Sequence, residues 1–301
     1  MKTKILWLTL AFGLLAGCER KPEAVGRPVG EKSPKVALPV YTLAVHPLYN
    51  PAKLLQTYQP LVDYLNQRLQ GAQLVLEAST DYANFEGKFR ARKPEFLLPN
   101  PWQTLQAMKV GYRVVAMAGE PADFKGIFVV RRDSVLQQPA DLKGKAVSYP
   151  SPTALAACIM PQWFLHEHGV NINTDIKNNY VGSQESSIMN AWMKLTAAGA
   201  TWPPPWRAFQ KDHPQEAAEL RVLWETDPLV SNSVMAREDV PEGVQEQVRG
   251  LLLGLGTTPE GGPILAGMET LHFLPATDTD YEVVRNFIAR FEREVRPVEQ
   301  R

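Results

Sequence analysis

The residues with the clearest chemical potential are Tyr149-Pro150-Ser151-Pro152-Thr153, which stand directly ahead of the apolar run Ala154 to Met160. Serine caps helices well, and proline suits the first helical position. A helix begun at Ser151-Pro152 leaves the N–H groups of Thr153, Ala154 and Leu155 free at the positive end of its dipole, which is an oxyanion site without any charged side chain. The same two residues also make a plain start for any buried helix. A second chemistry is aromatic. Tyr49, Trp102, Tyr149 and Trp202 each adjoin the end of an expected strand, where an α/β sheet carries its ligand. Flat rings there suit an organic ligand with apolar or cationic parts. Packing between lobes is the other reading, with Pro203-Pro204-Pro205 stiffening a turn that ends at Trp206. Glu185 either meets a cation or simply favours the first turn of its helix.

Other reactive side chains point to little chemistry. His166 and His168 are two residues apart, which on a helix turns their rings to different faces and reads as a solvated helix end. Cys158 lies inside an apolar run and reads as a small buried hydrophobe. No phosphate loop, dinucleotide fingerprint, nucleophile elbow or Cys-x-x-Cys is present, so neither an enzyme mechanism nor a cofactor is expected. The 301 residues carry 32 basic and 32 acidic side chains, a balance that argues against nucleic-acid binding. With 45% hydrophobic and 21% charged residues the chain is that of a folded, globular protein.

Lys2 and Lys4 precede the apolar run Ile5 to Leu15, which is shorter than a membrane-spanning helix and follows the pattern of a signal peptide over residues 1–17. It ends in Leu15-Ala16-Gly17-Cys18, which resembles the lipobox of bacterial lipoproteins. That resemblance makes Cys18 the lipidated first residue of a protein held at a membrane, in the periplasm. Residues 18–35, rich in proline, glycine and charge, read as a flexible tether.

The elements that must position these residues alternate. Strands are expected at 40–45, 73–78, 96–98, 113–117, 127–131, 146–149, 220–224 and 233–236, with others ending near Val181 and Thr201. Helices are expected over 54–69, after Asp81, from Asn100-Pro101, and over 153–168, 185–195, 244–253, 262–271 and 281–294. Strands alternating with helices give an α/β fold with largely parallel sheets.

Asp141-Leu142-Lys143-Gly144-Lys145 leading into Ala146-Val147-Ser148-Tyr149, then Pro150-Ser151-Pro152-Thr153, resembles the phosphonate-binding (PhnD-like) family of ABC-transporter solute-binding proteins. Tyr58 to Leu65 and Val181-Gly182-Ser183-Gln184-Glu185 are similar to family segments too. The resemblance spans about residues 40 to 290. It implies a two-lobe periplasmic-binding-protein clamshell of type II, each lobe a mixed sheet flanked by helices. On that reading residues 36–122 plus 229–301 form one lobe and residues 123–228 the other. The protein is then a monomer that closes on a small-molecule ligand, an oxyanion or small organic solute, and hands it to an ABC permease. A sensory lipoprotein that reports ligand occupancy to a membrane partner is the alternative. Three family anchors are altered: Ala154-Leu155-Ala156 stands where the family has Ser-Thr-Ser, Gln184 where it has histidine, and Ala197 where it has aspartate. With these changes a simple phosphonate is not the expected ligand. The ligand-binding set is Tyr49, Trp102, Tyr149, Ser151, Thr153, Ala154, Leu155, Ala156, Gln184, Glu185 and Trp202.

Overall fold

A computed structural model describes residues 37–299. The signal peptide, Cys18 and the tether lie outside the described residues. Among the described residues no helix is long and apolar enough to cross a membrane.

The first sheet holds six strands, β1 (Val40–Val45), β2 (Gln73–Glu77), β3 (Phe96–Leu98), β4 (Tyr112–Ala118), β10 (Asn232–Arg237) and β11 (Phe273–Leu274), in the order β11-β4-β10-β3-β1-β2. Strands β1, β2 and β3 run parallel, while β10 runs antiparallel to both β3 and β4. The second sheet has the order β7-β6-β8-β5-β9, from β5 (Ile127–Arg131), β6 (Ala146–Tyr149), β7 (Lys177–Tyr180), β8 (Ala198–Thr201) and β9 (Leu220–Glu225). Here β6, β7 and β8 are parallel and β5 is antiparallel to its neighbours. Both sheets are therefore mixed, with antiparallel strands supplied where the chain passes between them at residues 119–126 and 226–231.

Helices cover the sheets because their apolar residues recur on one face. In α1 (Pro51–Arg68), Leu54, Tyr58, Leu61, Val62 and Leu65 are buried, each such side chain contributing about 1.5–3 kcal/mol. Asn50 caps it by accepting from the Lys53 N–H at 3.0 Å, and Pro51 takes the first position. Asp81 caps α2 (Tyr82–Arg90) in the same way, and Asn100 with Gln103 forms a capping box at α3 (Pro101–Met108).

Four expectations are corrected. The helix expected over 185–195 is α5 (Gln184–Trp192), and that over 262–271 is α9 (Gly261–Gly267), followed by β11. Both end at a residue in the left-handed region that is not glycine, Lys194 (φ 60°) and Glu269 (φ 53°). The N–H of Leu195 then reaches back to Asn190 O, and that of Thr270 to Leu265 O, the hydrogen bonds of a Schellman end. The proline-rich segment is not a turn but the start of α6 (Pro203–Asp212), because prolines in a first turn lack only N–H groups that have no helical partner anyway. Finally, Ser151 does not cap the next helix. The Ala154 N–H bonds Ser151 O at 3.2 Å to close a turn, Ala154 is extended, and the helix begins at Leu155. Its first turn, Leu155–Ile159, is π-helical and runs unbroken into α4 (Met160–Glu167), whose second residue, Pro161, has no N–H for the regular α ladder.

Candidate functional site

The parallel strands of both sheets point their C-terminal ends at a common region, and β10 begins there. His46 follows β1, Asn100 follows β3, Ala154 to Ala157 lie beyond β6, Trp202 follows β8, and Asn232 opens β10. These residues, with Tyr82, Phe124, and Gln184, line a small cavity of about 10 Å³, room for roughly one water. It adjoins a second cavity of about 20 Å³ that shares Trp202 and Asn232 with it and has Tyr49 and Glu269 on its far side. A groove of about 820 Å³ opens beyond Tyr49 and Glu269.

The later start of the helix moves the free donors along the chain. Leu155, Ala156 and Ala157 have backbone N–H groups without an internal partner, because the first helical bonds are those of Cys158 and Ile159 to Ala154 O. They stand at the positive end of a helix that runs from Leu155 to Glu167. Among the described residues no lysine or arginine lines the cavity.

His46 is 2% exposed, and burial takes its pKa down to about 4, so the ring is neutral at ordinary pH. Its Nδ1 lies 2.8 Å from Leu98 O, an acceptor, so Nδ1 carries the proton and Nε2 is a bare acceptor. Tyr82 accepts from Gln184 Nε2 at 3.2 Å and keeps its own O–H to donate, burial having raised its pKa. Gln184 Oε1 accepts from the Thr201 hydroxyl at 2.8 Å, so the glutamine is held from both sides. Trp202 packs on Phe124 with ring centroids 5.3 Å apart. Asn232 is 3% exposed, and its Oδ1 is buried with no donor among the described residues.

Around the cavity, side chains tie the elements of one sheet to those of the other. Thr153 donates its hydroxyl to Glu86 Oε1 at 2.7 Å, and Asn100 Nδ2 donates to Thr153 O at 3.1 Å. Gln103 Nε2 donates to the same Glu86 oxygen at 3.1 Å. Desolvation pushes the Glu86 pKa above the usual carboxylate range despite these bonds. At the groove, Arg207 of α6 forms a bidentate pair with Asp123 at 3.0 and 2.7 Å and bonds Glu269 Oε2 at 3.1 Å. Lys211 pairs with Glu269, and Lys53 with Asp212.

Of the sequence-derived residues, Ala154, Leu155, Ala156, Gln184 and Trp202 come together in one cavity. Ser151 and Thr153 lie beside it, hydrogen-bonded to each other at 3.1 Å and to Glu86 through Thr153. Tyr49 lines the second cavity and the groove, with Lys53 Nζ 4.6 Å from its ring centroid. Trp102 and Tyr149 are instead buried in the core, 1% and 0% exposed, and line none of these spaces. Glu185 faces His213 Nε2 at 3.4 Å outside the cavity. Sequence reasoning missed His46, Tyr82, Phe124, Ala157 and Asn232. Asn100 was legible as a helix start but not as a lining residue.

Comparison with known proteins agrees with this architecture. Residues 43–281 match the family model described as ABC transporter, phosphonate, periplasmic substrate-binding protein. A probable ABC transporter phosphite binding protein, PhnD1 of Prochlorococcus marinus (strain MIT 9301), is 25% identical over 154 residues, covering 47% of this chain and 52% of that relative. The chain thus matches about half the length of this curated relative. A binding protein component of an ABC phosphonate transporter from Pseudomonas aeruginosa superposes with a TM-score of 0.79 at 15% identity, over 86% of this chain and 88% of that one. PhnD1 from Prochlorococcus marinus in complex with methylphosphonate gives 0.77 at 20% identity, over 84% and 98%. The fold is the two-sheet, type II periplasmic-binding-protein fold of these structures. With the family model matching most of its length, the chain belongs to the periplasmic substrate-binding proteins of phosphonate-type ABC transporters.

Proposed function

We propose that this protein is a lipoprotein, held at a membrane through Cys18, that captures a small ligand in the cavity between its two sheets and delivers it to an ABC permease. One observation carries the reading. Donors and rings from both sheets converge at strand C-termini on the free N–H groups of Leu155, Ala156 and Ala157. Residues 36–122 plus 229–301 form one lobe and 123–228 the other, and the two crossings at 119–126 and 226–231 serve as the hinge. A ligand that touches both lobes favours the closed state.

The ligand is not a simple phosphonate. Ala154-Leu155-Ala156 offers backbone donors and a dipole but no hydroxyl, and among the described residues no lysine or arginine lines the cavity, so the two charges of a phosphonate dianion meet too little compensation.

The test is a native mass spectrum of protein purified without denaturation. The wild type should carry a small ligand that Ala156→Phe, which fills the cavity, does not retain. An identical bound species in both proteins would place the ligand elsewhere. Cys18→Ser should leave the membrane fraction while the body stays folded, and its full recovery in the membrane pellet would refute the lipid anchor.

A further inference from the structure

We propose that Arg296, in the segment after the last helix (Glu282–Glu294), is a positioning residue for ligand capture. Reaching over from the side of the first sheet, it fixes the turn and the helix that carry the free N–H groups of Leu155, Ala156 and Ala157. The role rests on those donors facing the ligand, whereas the hold itself is tested without one.

The last helix packs against α3, on the first sheet, yet its second half leans on helix α4 of the second. Phe287 meets the Trp163 ring with centroids 5.9 Å apart, and the Arg290 guanidinium lies 4.8 Å from the centre of the same ring. Asn173 Nδ2 donates to Val295 O at 2.9 Å. Arg296 then finds acceptors for all five of its N–H groups. Its Nε donates to Gln162 Oε1 at 2.8 Å, and its Nη2 to Pro152 O at 3.0 Å with Cys158 Sγ 3.6 Å away. Its Nη1 donates to Pro297 O at 2.8 Å and Val298 O at 3.3 Å, which folds the chain back on itself. Glu299 pairs with Arg90 of α2, so the segment returns to the first sheet.

Pro152 and Gln162 bracket the donors, one ahead of the turn at Ala154 and the other inside α4. The turn is held from the first sheet at two further points, Glu86 to the Thr153 hydroxyl and Asn100 to Thr153 O. The donors thus belong to one lobe and their alignment to the other, and they come into register only when the two sheets are together. Gln162 is fully buried and its Nε2 is taken by Asn178 at 3.2 Å, so loss of Arg296 leaves Gln162 Oε1 an unmet buried acceptor and pulls the helix out of place. A lysine offers one ammonium where the guanidinium forks to Gln162 and Pro152 together.

Cys158, buried beside Arg296, reports the hold, and with Cys18→Ser it is the sole thiol of the chain. In that background Arg296→Gln should raise the rate at which maleimide labels the native protein at least about tenfold, the factor that goes with one lost hydrogen bond from a charged donor. Arg296→Lys should fall between it and the parent. Val284→Ala, a cavity at the other end of the last helix, is the control for simple destabilisation and should lower Tm without raising the rate. An unchanged rate in Arg296→Gln, or a rise no larger than Val284→Ala gives for the same loss of Tm, would overturn the proposal. Should Arg296→Gln fail to fold, Arg296→Lys decides, and labelling at the parent rate overturns it equally. Retention of the bound species by Ala156→Phe would overturn the ligand site, and with it the link to capture, but not the hold.

Discussion

Gly126 couples the hinge to the oxyanion donors, and replacing it by alanine should damage both stability and binding. Its N–H is held by Thr226 Oγ1 at 2.9 Å, at the point where both crossings enter the second sheet. A Cβ at this position would lie 2.6 Å from Ala156 O and 2.8 Å from Pro161 Cδ. Reaching the ordinary contact distance of 3.4 Å needs a shift of about 0.8 Å, and both obstacles belong to rigid groups, a backbone carbonyl and a proline ring. Overpacking of this kind costs about 1–3 kcal/mol, or roughly 2–10 °C in Tm for a body of this size. The same shift displaces the Ala156–Ala157 peptide, whose N–H is one of the free donors at the helix start, and so disturbs its alignment with an oxygen bound there. Losing one bond to a charged oxygen is worth about 1.5–3 kcal/mol, at least a tenfold loss in affinity. Thermal denaturation and calorimetry read the two effects, with Gly243→Ala as the control, since nothing lies within 4 Å of a Cβ there. A Gly126→Ala protein that melts and binds like the wild type would refute the argument.

Further predictions concern single side chains. Glu86 has a folded pKa above its unfolded value, so its contribution is present below the usual carboxylate range and is lost as pH rises through the raised value. Glu86→Gln keeps the oxygen that accepts from Thr153 and Gln103 but cannot ionise, so its Tm relative to wild type should rise as pH climbs above the usual carboxylate range; parallel curves would count against this. Trp102→Ala should cost about 3–5 kcal/mol in denaturant unfolding, because the ring is core, whereas Trp202→Ala should weaken ligand binding with a smaller stability loss; the reverse ranking would exchange their roles. The Cys158 thiol is fully buried, with its pKa pushed up to about 12, so maleimide should label it only in denaturant, and rapid labelling of the native protein would contradict its burial.

The strands at 40–45, 96–98, 127–131 and 146–149 were readable because their apolar runs are short and bounded by turn residues. The ends of α5 and α9 were not, because Lys194 and Glu269 adopt a backbone conformation that sequence reading reserves for glycine. In the cavity, Gln184, Trp202 and the Ala154-Leu155-Ala156 run were found through the family resemblance and their position at strand ends. His46 and Asn232 were invisible, since only the pairing of β1 and β10 with β3 brings residues 46 and 232 together. Trp102 shows the opposite failure. Its place after a strand was read well, but the capping box at Asn100 and Gln103 sets the start of α3 so that the ring is buried in the core.

The place of β10 has a consequence for how the chain acquires its structure. This strand lies between β3 and β4, yet it follows the whole second sheet in sequence. Until residues 232–237 arrive, β4 has no partner for either edge, since β11 comes later still. The first three strands then end in an open edge at β3, all three of whose residues are buried in the native state. The second sheet suffers no such delay, because all its strands fall within residues 127–225. The middle of the chain should therefore finish first, while the amino-terminal part waits for its late strand with an adhesive edge exposed. A chain stopped short of residue 232 would hold a complete second sheet attached to an aggregation-prone fragment, and the slowest phase of refolding should be the insertion of β10.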